Sequence, residues 1–250
     1  MKKIALFRTP PPLDEIGDLL YLNRKEYCET NNYELIYDKS PSTDPRHFSW
    51  AIPGDILNLM KDASKDFDWI YNTGADYLFT NMKLSAERII ETYMKDDQDI
   101  FIIGETLVAT DAKPNMWLTS IDGMDLKLIT TTDTKLLLNP TGMFVRRCSW
   151  TENLIETIIN DTRFKAGSIL DMFPKFLDRF QVALTFYYDN YPEIRKKIAI
   201  GPAKHLACLP VGDGEEYDKL RKNMCKIIPG YSEFHLGSYT ITTWCLSSGV

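Results

Sequence analysis

Strand-like and helix-like segments alternate over residues 1–104, and this alternation constrains the fold more than any other feature of the chain. Short apolar runs predict strands, and helical spacing of apolar residues predicts the helices between them. The predicted strands are 4–7, 33–37, 69–72 and 100–103, and the predicted helices are 16–31, 48–63 (broken near Pro53 and Gly54) and 84–94. Such alternation is typical of βαβ units. We therefore expect an α/β fold with a mostly parallel central sheet.

Residues 105–250 have a different pattern, in which short strands and separate helices follow a stretch rich in Thr and Asp. We predict strands at 126–129 and 142–146, helices at 150–160, 167–188 (starting near Pro174) and 215–225, and strand or loop at 230–250. No Pro/Gly/Ser-rich linker divides the chain. A single domain is expected, with a first half at 1–104 and a second at 105–250.

Composition excludes several classes of protein. Hydrophobic residues make up 44% of the chain, which is ordinary for a globular protein. The five cysteines, at 28, 148, 208, 225 and 245, form no CxxC pair, which argues against a zinc ribbon and a secreted disulfide framework. The apolar run at the N-terminus is too short for a signal peptide or a membrane span. We expect a protein without a membrane partner, located in the cytoplasm (that of the host if the chain is viral).

Two predicted strands end in residues suited to a ligand site. Arg8 and Thr9 follow the first strand, and Gly74, Ala75 and Asp76 follow the third. Ligands of open α/β sheets bind beyond the carboxyl ends of strands. An aspartate there is well placed to hold a divalent metal on a diphosphate, although Gly and Asp are also ordinary turn residues.

Several segments, in order and with similar spacing, resemble the glycosyltransferase family of fungal galactosyl- and mannosyltransferases and plant xyloglucan xylosyltransferases. In the first half these are DEIGD at 14–18, NRKEYC at 23–28, YELIY at 33–37, SWAIP at 49–53, FDWIY at 67–71 and DYLFTNM at 76–82. In the second half they are LNPTGMFVR at 138–146 with SW after it, QVAL at 181–184 and FHLG at 234–237. The segment 83–135 carries no matching motif.

The resemblance implies a GT-A (Rossmann-like) fold and an enzyme that uses a nucleotide-sugar donor, with a UDP-sugar favoured. It implies a nucleotide-binding first half and an acceptor-binding second half. It assigns the donor to Arg8, Thr9, Gly74, Ala75, Asp76 and Arg146, and a divalent metal, Mn²⁺ or Mg²⁺, to Asp76 and His235. It also implies catalytic roles for Asp76 and for Gln181, which would lie near the reacting face of the sugar.

The chain departs from the family pattern at several of these positions. Gly74 stands where the family has the first Asp of its Asp-X-Asp motif. Ile52 stands where the family has a Lys, and Phe180 where it has a Glu. Gly237 lies two residues after His235, whereas the family's glycine lies three residues after its histidine. A missing carboxylate weakens metal binding. Structural alternatives also stand: His235 as a core histidine between Phe and Leu, Gln181 as a cap on a buried carbonyl, and Arg146 as a solvated strand end.

Because the chain resembles a retaining family, the resemblance implies transfer of a sugar to a hydroxyl acceptor with retention. A front-face mechanism fits the absence of an obvious strong nucleophile. We expect the acceptor to be a saccharide, a protein or a hydroxymethylated pyrimidine of phage DNA. The net charge of −6 argues against general nucleic-acid binding. Residues 191–226, however, carry eight basic and five acidic side chains, so an anionic acceptor is not ruled out. A non-catalytic GT-A-like nucleotide-binding module is the alternative, and a dehydrogenase is disfavoured because no GxGxxG follows the first strand.

Overall fold

A computed structural model describes residues 3–8, 15–37, 50–73, 77–107, 135–164, 179–202, 207–208 and 240–242. The strands in these ranges are β1 (Ile4–Arg8), β2 (Glu34–Tyr37), β3 (Trp69–Thr73), β4 (Tyr77–Phe79), β5 (Ile100–Leu107), β6 (Lys135–Arg146), β7 (Ile198–Pro202), β8 (Ala207–Cys208) and β9 (Thr240–Thr242). The helices are α1 (Glu15–Asn31), α2 (Ala51–Lys61), α3 (Ala86–Tyr93), α4 (Ser149–Asn160), α5 (Arg179–Asn190) and α6 (Pro192–Lys197).

The described strands form a six-stranded sheet in the order β2-β1-β3-β6-β5-β7. β1 pairs in parallel with β2 and β3, and β5 pairs in parallel with β7. β6 is antiparallel to both of its neighbours, β3 and β5. The predicted α/β fold with a mostly parallel sheet is therefore confirmed, with β6 as its antiparallel member.

The two halves of the chain share this sheet. β6 and β7, from the second half, pair with β3 and β5 from the first. A small sheet in the order β4-β9-β8 joins the halves again. This interleaving explains why no linker separates them in the sequence.

Successive side chains of a strand point to opposite faces of a sheet, and here apolar side chains are buried on both faces. Ile70 and Val145 pack with side chains of α2, α4 and α5 on one face. Tyr71 and Phe144 pack with side chains of α1 and α3 on the other face. The rings of Tyr71 and Phe144 are stacked with centroids 3.9 Å apart.

Local signals explain where two of the helices begin or end. Ser85 caps α3, since its side chain accepts a hydrogen bond from the Arg88 amide at 3.2 Å. Asn32 follows α1 with φ of 58°, a left-handed conformation that asparagine tolerates and that ends the helix.

The predicted element bounds were correct in part. α2 is continuous, because Pro53 lies in the first turn, where a missing N–H is harmless. β5 and β6 are longer than predicted, and β4, α6 and β7 were not predicted. The predictions for 126–129 and 215–225 lie outside the described residues, as does the part of 167–188 that precedes 179. Within 230–250 the structure describes the strand β9.

Candidate functional site

β1, β2 and β3 end at one edge of the six-stranded sheet, here called the carboxyl edge. The backbone register pairs Arg8 with Tyr37 on one side and with Thr73 on the other. Neighbouring strands lie about 4.8 Å apart, so the Arg8 backbone lies beside the residue that leads into Gly74. The structure thus brings together the ends of the two strands to which the sequence assigned a ligand. The opposite edge, at Ile4 and Trp69, is here called the amino edge.

Several predicted site residues have no described position. Only the backbone of Arg8 is described, and Thr9, Gly74, Ala75, Asp76 and His235 lie outside the described residues. The structure does describe the elements that flank this segment in the chain and those beside the ends of β1 and β3, and together these are here called the frame.

Two described strands flank segment 74–76 in the chain. β3 precedes it, and β4, which follows it, is fixed to α1 by Asn23. Asn23 Nδ2 donates to the Phe79 carbonyl at 2.9 Å, and the Phe79 amide donates to Asn23 Oδ1 at 2.7 Å. The Phe79 ring stacks on Tyr27 at 3.9 Å. These contacts fix β4 against α1.

β6 contains an irregular stretch beside the carboxyl edge. β5 pairs Phe101 with Phe144 and Ile103 with Asn139, so residues 140–143 lie opposite the single residue Ile102. Such a bulge leaves backbone groups outside the ladder, and these need other partners. Asn72, the penultimate residue of β3, supplies one, because its Nδ2 donates to the Pro140 carbonyl at 2.6 Å.

Gln181 lies in the first turn of α5 and is buried, with 7% of its surface exposed. Thr185, one turn later, connects this turn to β6. Its Oγ1 donates to the Gln181 carbonyl at 2.8 Å and accepts a hydrogen bond from the Leu138 amide at 3.1 Å. Gln181 is therefore fixed against β6 two residues before the bulge begins at Pro140.

A second anchor secures α5 further along its length. The Tyr187 hydroxyl donates to Asp161 Oδ2 at 2.8 Å, and Arg163 forms an ion pair with the same carboxylate at 2.6 Å. Burial alone would raise the pKa of Asp161, but the hydrogen bonds from Arg163 and Tyr187 hold that pKa below its ordinary value. Burial, together with the hydrogen bond to Asp161, raises the pKa of Tyr187 to about 12. α5 is thus a rigid support for Gln181.

Arg146 lies at the amino edge, away from the other predicted donor-binding residues. It is the register partner of Trp69, at the far end of β3 from Thr73. Its Nη1 is 3.3 Å from Asp99, and its guanidinium lies 5.9 Å from the centroid of the Trp69 ring. Arg146 therefore lies at the far end of β3 from Thr73, and the structure does not bring it together with the ends of β1 and β3.

A cavity of about 740 Å³ opens at the amino edge beside Arg146. Asp68, Glu91, Lys95 and Asp96 also line it, so its walls carry both signs of charge. It lies at the opposite end of β3 from Thr73. Of the predicted site residues that the structure describes, Arg146 alone lines it.

Asn72, Asn23 and Thr185 are the residues of this frame that the sequence analysis did not single out. Asn72 could have been identified from the sequence, because it is a polar residue inside the buried run WIYNT. Asn23 and Thr185 could not, because both lie on helices, where polar residues are common.

A clustered metal site and a membrane-spanning helix are both absent from the residues that the structure describes. Within them, no group of three or more His, Cys, Asp or Glu side chains is arranged to hold a metal ion. Of the helices in the described ranges, none combines the length and apolarity that a bilayer crossing needs.

Comparison with known proteins adds the family. Residues 9–233 match the model of the galactosyl transferase GMA12/MNN10 family. No curated protein sequence is matched.

Among solved structures, a glycosyltransferase involved in the glycosylation of the major capsid of PBCV-1 is similar over 98% of this chain and 94% of its own, with 11% identity and a TM-score of 0.57. This likeness concerns the fold alone. The Drosophila beta-1,4-galactosyltransferase 7, in a complex with manganese, UDP-Gal and xylobiose, matches 59% of this chain and 50% of its own, with 18% identity and a TM-score of 0.32.

Proposed function

Because the chain belongs to the galactosyl transferase GMA12/MNN10 family, and is a nucleotide-sugar-dependent glycosyltransferase with a GT-A fold, we propose that it moves a sugar from a UDP-sugar to a saccharide hydroxyl with retention. The observation that carries this proposal is the carboxyl edge. There β1 and β3 end side by side at Arg8 and Thr73, and segment 74–76 bridges β3 and β4.

The donor is assigned to residues that follow these two strand ends. We propose that Arg8 and Thr9 contact the nucleoside, and that Gly74, Ala75 and Asp76 lie along the diphosphate. Ligands of open α/β sheets occupy this position beyond the strand ends. Arg146 is not included, because it lies at the amino edge.

A divalent metal fits the proposed ligands chemically. The carboxylate of Asp76 and the imidazole of His235 suit Mn²⁺, and the diphosphate oxygens would complete its coordination. When bound, the metal neutralises the charge of the departing diphosphate. Because Gly74 replaces a carboxylate, we expect the chain to bind the metal weakly until the nucleotide is present.

Gln181 is proposed to lie at the reacting face of the sugar. Its amide is not a nucleophile, so its role is to orient the sugar and the acceptor by hydrogen bonding. The acceptor oxygen then forms a bond to the anomeric carbon on the face from which the phosphate oxygen leaves. The acceptor proton passes to that leaving oxygen, which makes a separate protein base unnecessary.

The test is product analysis by mass spectrometry. The protein is incubated with UDP-sugars and GDP-sugars, with and without Mn²⁺, and with small saccharides or hydroxymethylated DNA as acceptors. We expect metal-dependent release of UDP and a saccharide heavier by one sugar, whose anomeric configuration NMR then identifies. Transfer of the sugar to the DNA and not to a saccharide would show that the acceptor is DNA.

Calorimetry with UDP and Mn²⁺ separates the enzyme from a binding module. Binding of UDP without turnover of any donor supports the non-catalytic alternative. The absence of both binding and turnover would contradict the proposal as a whole.

A further inference from the structure

Asn72 is a buried polar residue in an apolar environment. It is 1% exposed, and by strand alternation its side chain faces the same side of the sheet as Ile70, which packs against α2, α4 and α5. Nδ2 donates to the Pro140 carbonyl at 2.6 Å. Within the part of the chain that the structure describes, Asn72 Oδ1 accepts no hydrogen bond.

This arrangement is costly for the folded state. A buried acceptor left without a partner costs roughly 1–3 kcal/mol, whereas a leucine of similar size would add apolar contacts. Buried polar groups kept at such a cost need an explanation other than stability. The location of Asn72, one residue before the end of β3, offers one.

The Asn72 amide connects β3 to the bulge of β6. Pro140 has no N–H, and its carbonyl lies in the stretch 140–143 that the β5 ladder does not pair regularly. The bond from Asn72 fixes this carbonyl against the end of β3. Two residues earlier, the Leu138 amide donates to Thr185 Oγ1, which donates in turn to the Gln181 carbonyl.

We propose that Asn72 is a positioning residue that sets Gln181 relative to the end of β3 through the β6 backbone at 138–140 and through Thr185. This inference rests on the proposed function, since it concerns the geometry between Gln181 and the donor. Asn72 touches neither sugar nor nucleotide in this account. It acts by keeping the end of β3, the bulge and the first turn of α5 in one arrangement.

The test compares Asn72→Leu with Asn190→Leu, a matched control. Asn190 also donates through Nδ2 to a backbone carbonyl, that of Phe186 at 2.9 Å, but at the other end of α5. We expect Asn72→Leu to lower kcat roughly 10- to 100-fold, because small misplacements of reacting groups have effects of that size. Its affinity for UDP, its KM for the donor and its melting temperature should stay close to those of the control.

Hydrogen exchange supplies a readout that does not need turnover. The amides of residues 138, 139 and 141 and those at 179–185 should exchange faster in Asn72→Leu than in Asn190→Leu, while those of α3 are unchanged. If both kcat and exchange match the control, the inference is overturned. If the unchanged protein turns over no donor, the proposed function fails, and the exchange comparison alone decides whether Asn72 fixes the bulge.

A second substitution approaches the same connection from α5 and serves if Asn72→Leu does not fold. Thr185→Val removes the hydroxyl that accepts from Leu138, whereas Thr185→Ser retains it. We expect Thr185→Val to lower kcat as Asn72→Leu does and Thr185→Ser to restore most of it. Equal kcat for the two Thr185 variants would contradict the inference.

Discussion

Charged side chains hold the amino edge of the central sheet, whereas neutral amide and hydroxyl groups hold the frame at its carboxyl edge. At the amino edge, Asp99 binds both Arg146 and Lys197, at 3.3 and 2.9 Å. At the carboxyl edge, Asn72 and Thr185 make the connections with uncharged groups. We infer that the amino edge stabilises the fold and the carboxyl edge binds the donor.

The largest effect that sharpens this comparison is expected for Asp76→Ala. Removing the proposed metal ligand should lower kcat/KM with Mn²⁺ by roughly 10²–10³-fold, since charge stabilisation of the leaving group is lost. Asp96→Ala, an exposed aspartate beside the amino-edge cavity, is the control and should retain activity. The steady-state rate of UDP release measures the activity of both variants. Full metal-dependent activity in Asp76→Ala would contradict the assignment of the metal.

At the amino edge, Arg147→Met should reduce stability rather than catalysis. The Arg147 guanidinium donates to three backbone carbonyls, those of Met60 at 3.0 Å, Asp62 at 2.6 Å and Lys65 at 2.6 Å. Losing these bonds should lower the free energy of unfolding by about 2–4 kcal/mol. Urea unfolding provides the measurement.

The neighbouring arginine is the matched control. The Arg146 side chain is half exposed and makes one ion pair, with Asp99 at 3.3 Å, and Lys197 still pairs with that carboxylate when Arg146 is removed, so Arg146→Met should cost less than about 1 kcal/mol. Equal losses for the two variants would break the distinction between an arginine that binds three backbone carbonyls and one that makes a single ion pair.

A smaller effect is expected at segment 74–76 from Asn23→Ala. This variant loses both hydrogen bonds to Phe79, which should cost about 1–2 kcal/mol of stability and raise the KM of the donor. Asn31→Ala is the control, because Asn31 also lies on α1 and donates to the Met82 carbonyl at 2.9 Å, beyond β4. A change in KM as large in Asn31→Ala would show that α1, and not the position of β4, sets donor affinity.

The smallest effect concerns pH. Tyr187 has a pKa of about 12 in the fold against an ordinary value of 10.0, so the folded state holds this proton more tightly. The stability it contributes is complete below pH 10 and is lost as the pH rises towards 12. Tyr187→Phe should therefore show a shallower alkaline loss of stability in urea titrations. An identical alkaline slope in both proteins would mean that another group causes it.

The sequence predicted the elements whose apolar period is regular. β1, β3, α1, α3 and α4 lie within a few residues of their predicted bounds. The bounds of β6 were not predictable from its pattern, because residues 135–139 pair with β5 beyond a bulge and lack a regular alternation. β7 was missed because IAIGP is short and follows a helix directly.

The candidate site was predictable only where a residue marks a strand end. Arg8 and segment 74–76 follow buried strands, and the register confirms that β1 and β3 end together. Arg146 follows a strand as well, but β6 is antiparallel, so its end lies at the amino edge. Strand direction depends on pairing between distant segments, so it cannot be inferred from composition or from local periodicity.

Hydrogen exchange of the protein with and without UDP and Mn²⁺ tests the central claim most directly. The account predicts that the nucleotide protects amides at 70–79 and in the first turn of α5, while amides at 95–99 and 146–150 exchange at their original rates. Protection confined to the amino edge, around Trp69, Lys95 and Arg146, would place the nucleotide in the cavity there and contradict the account.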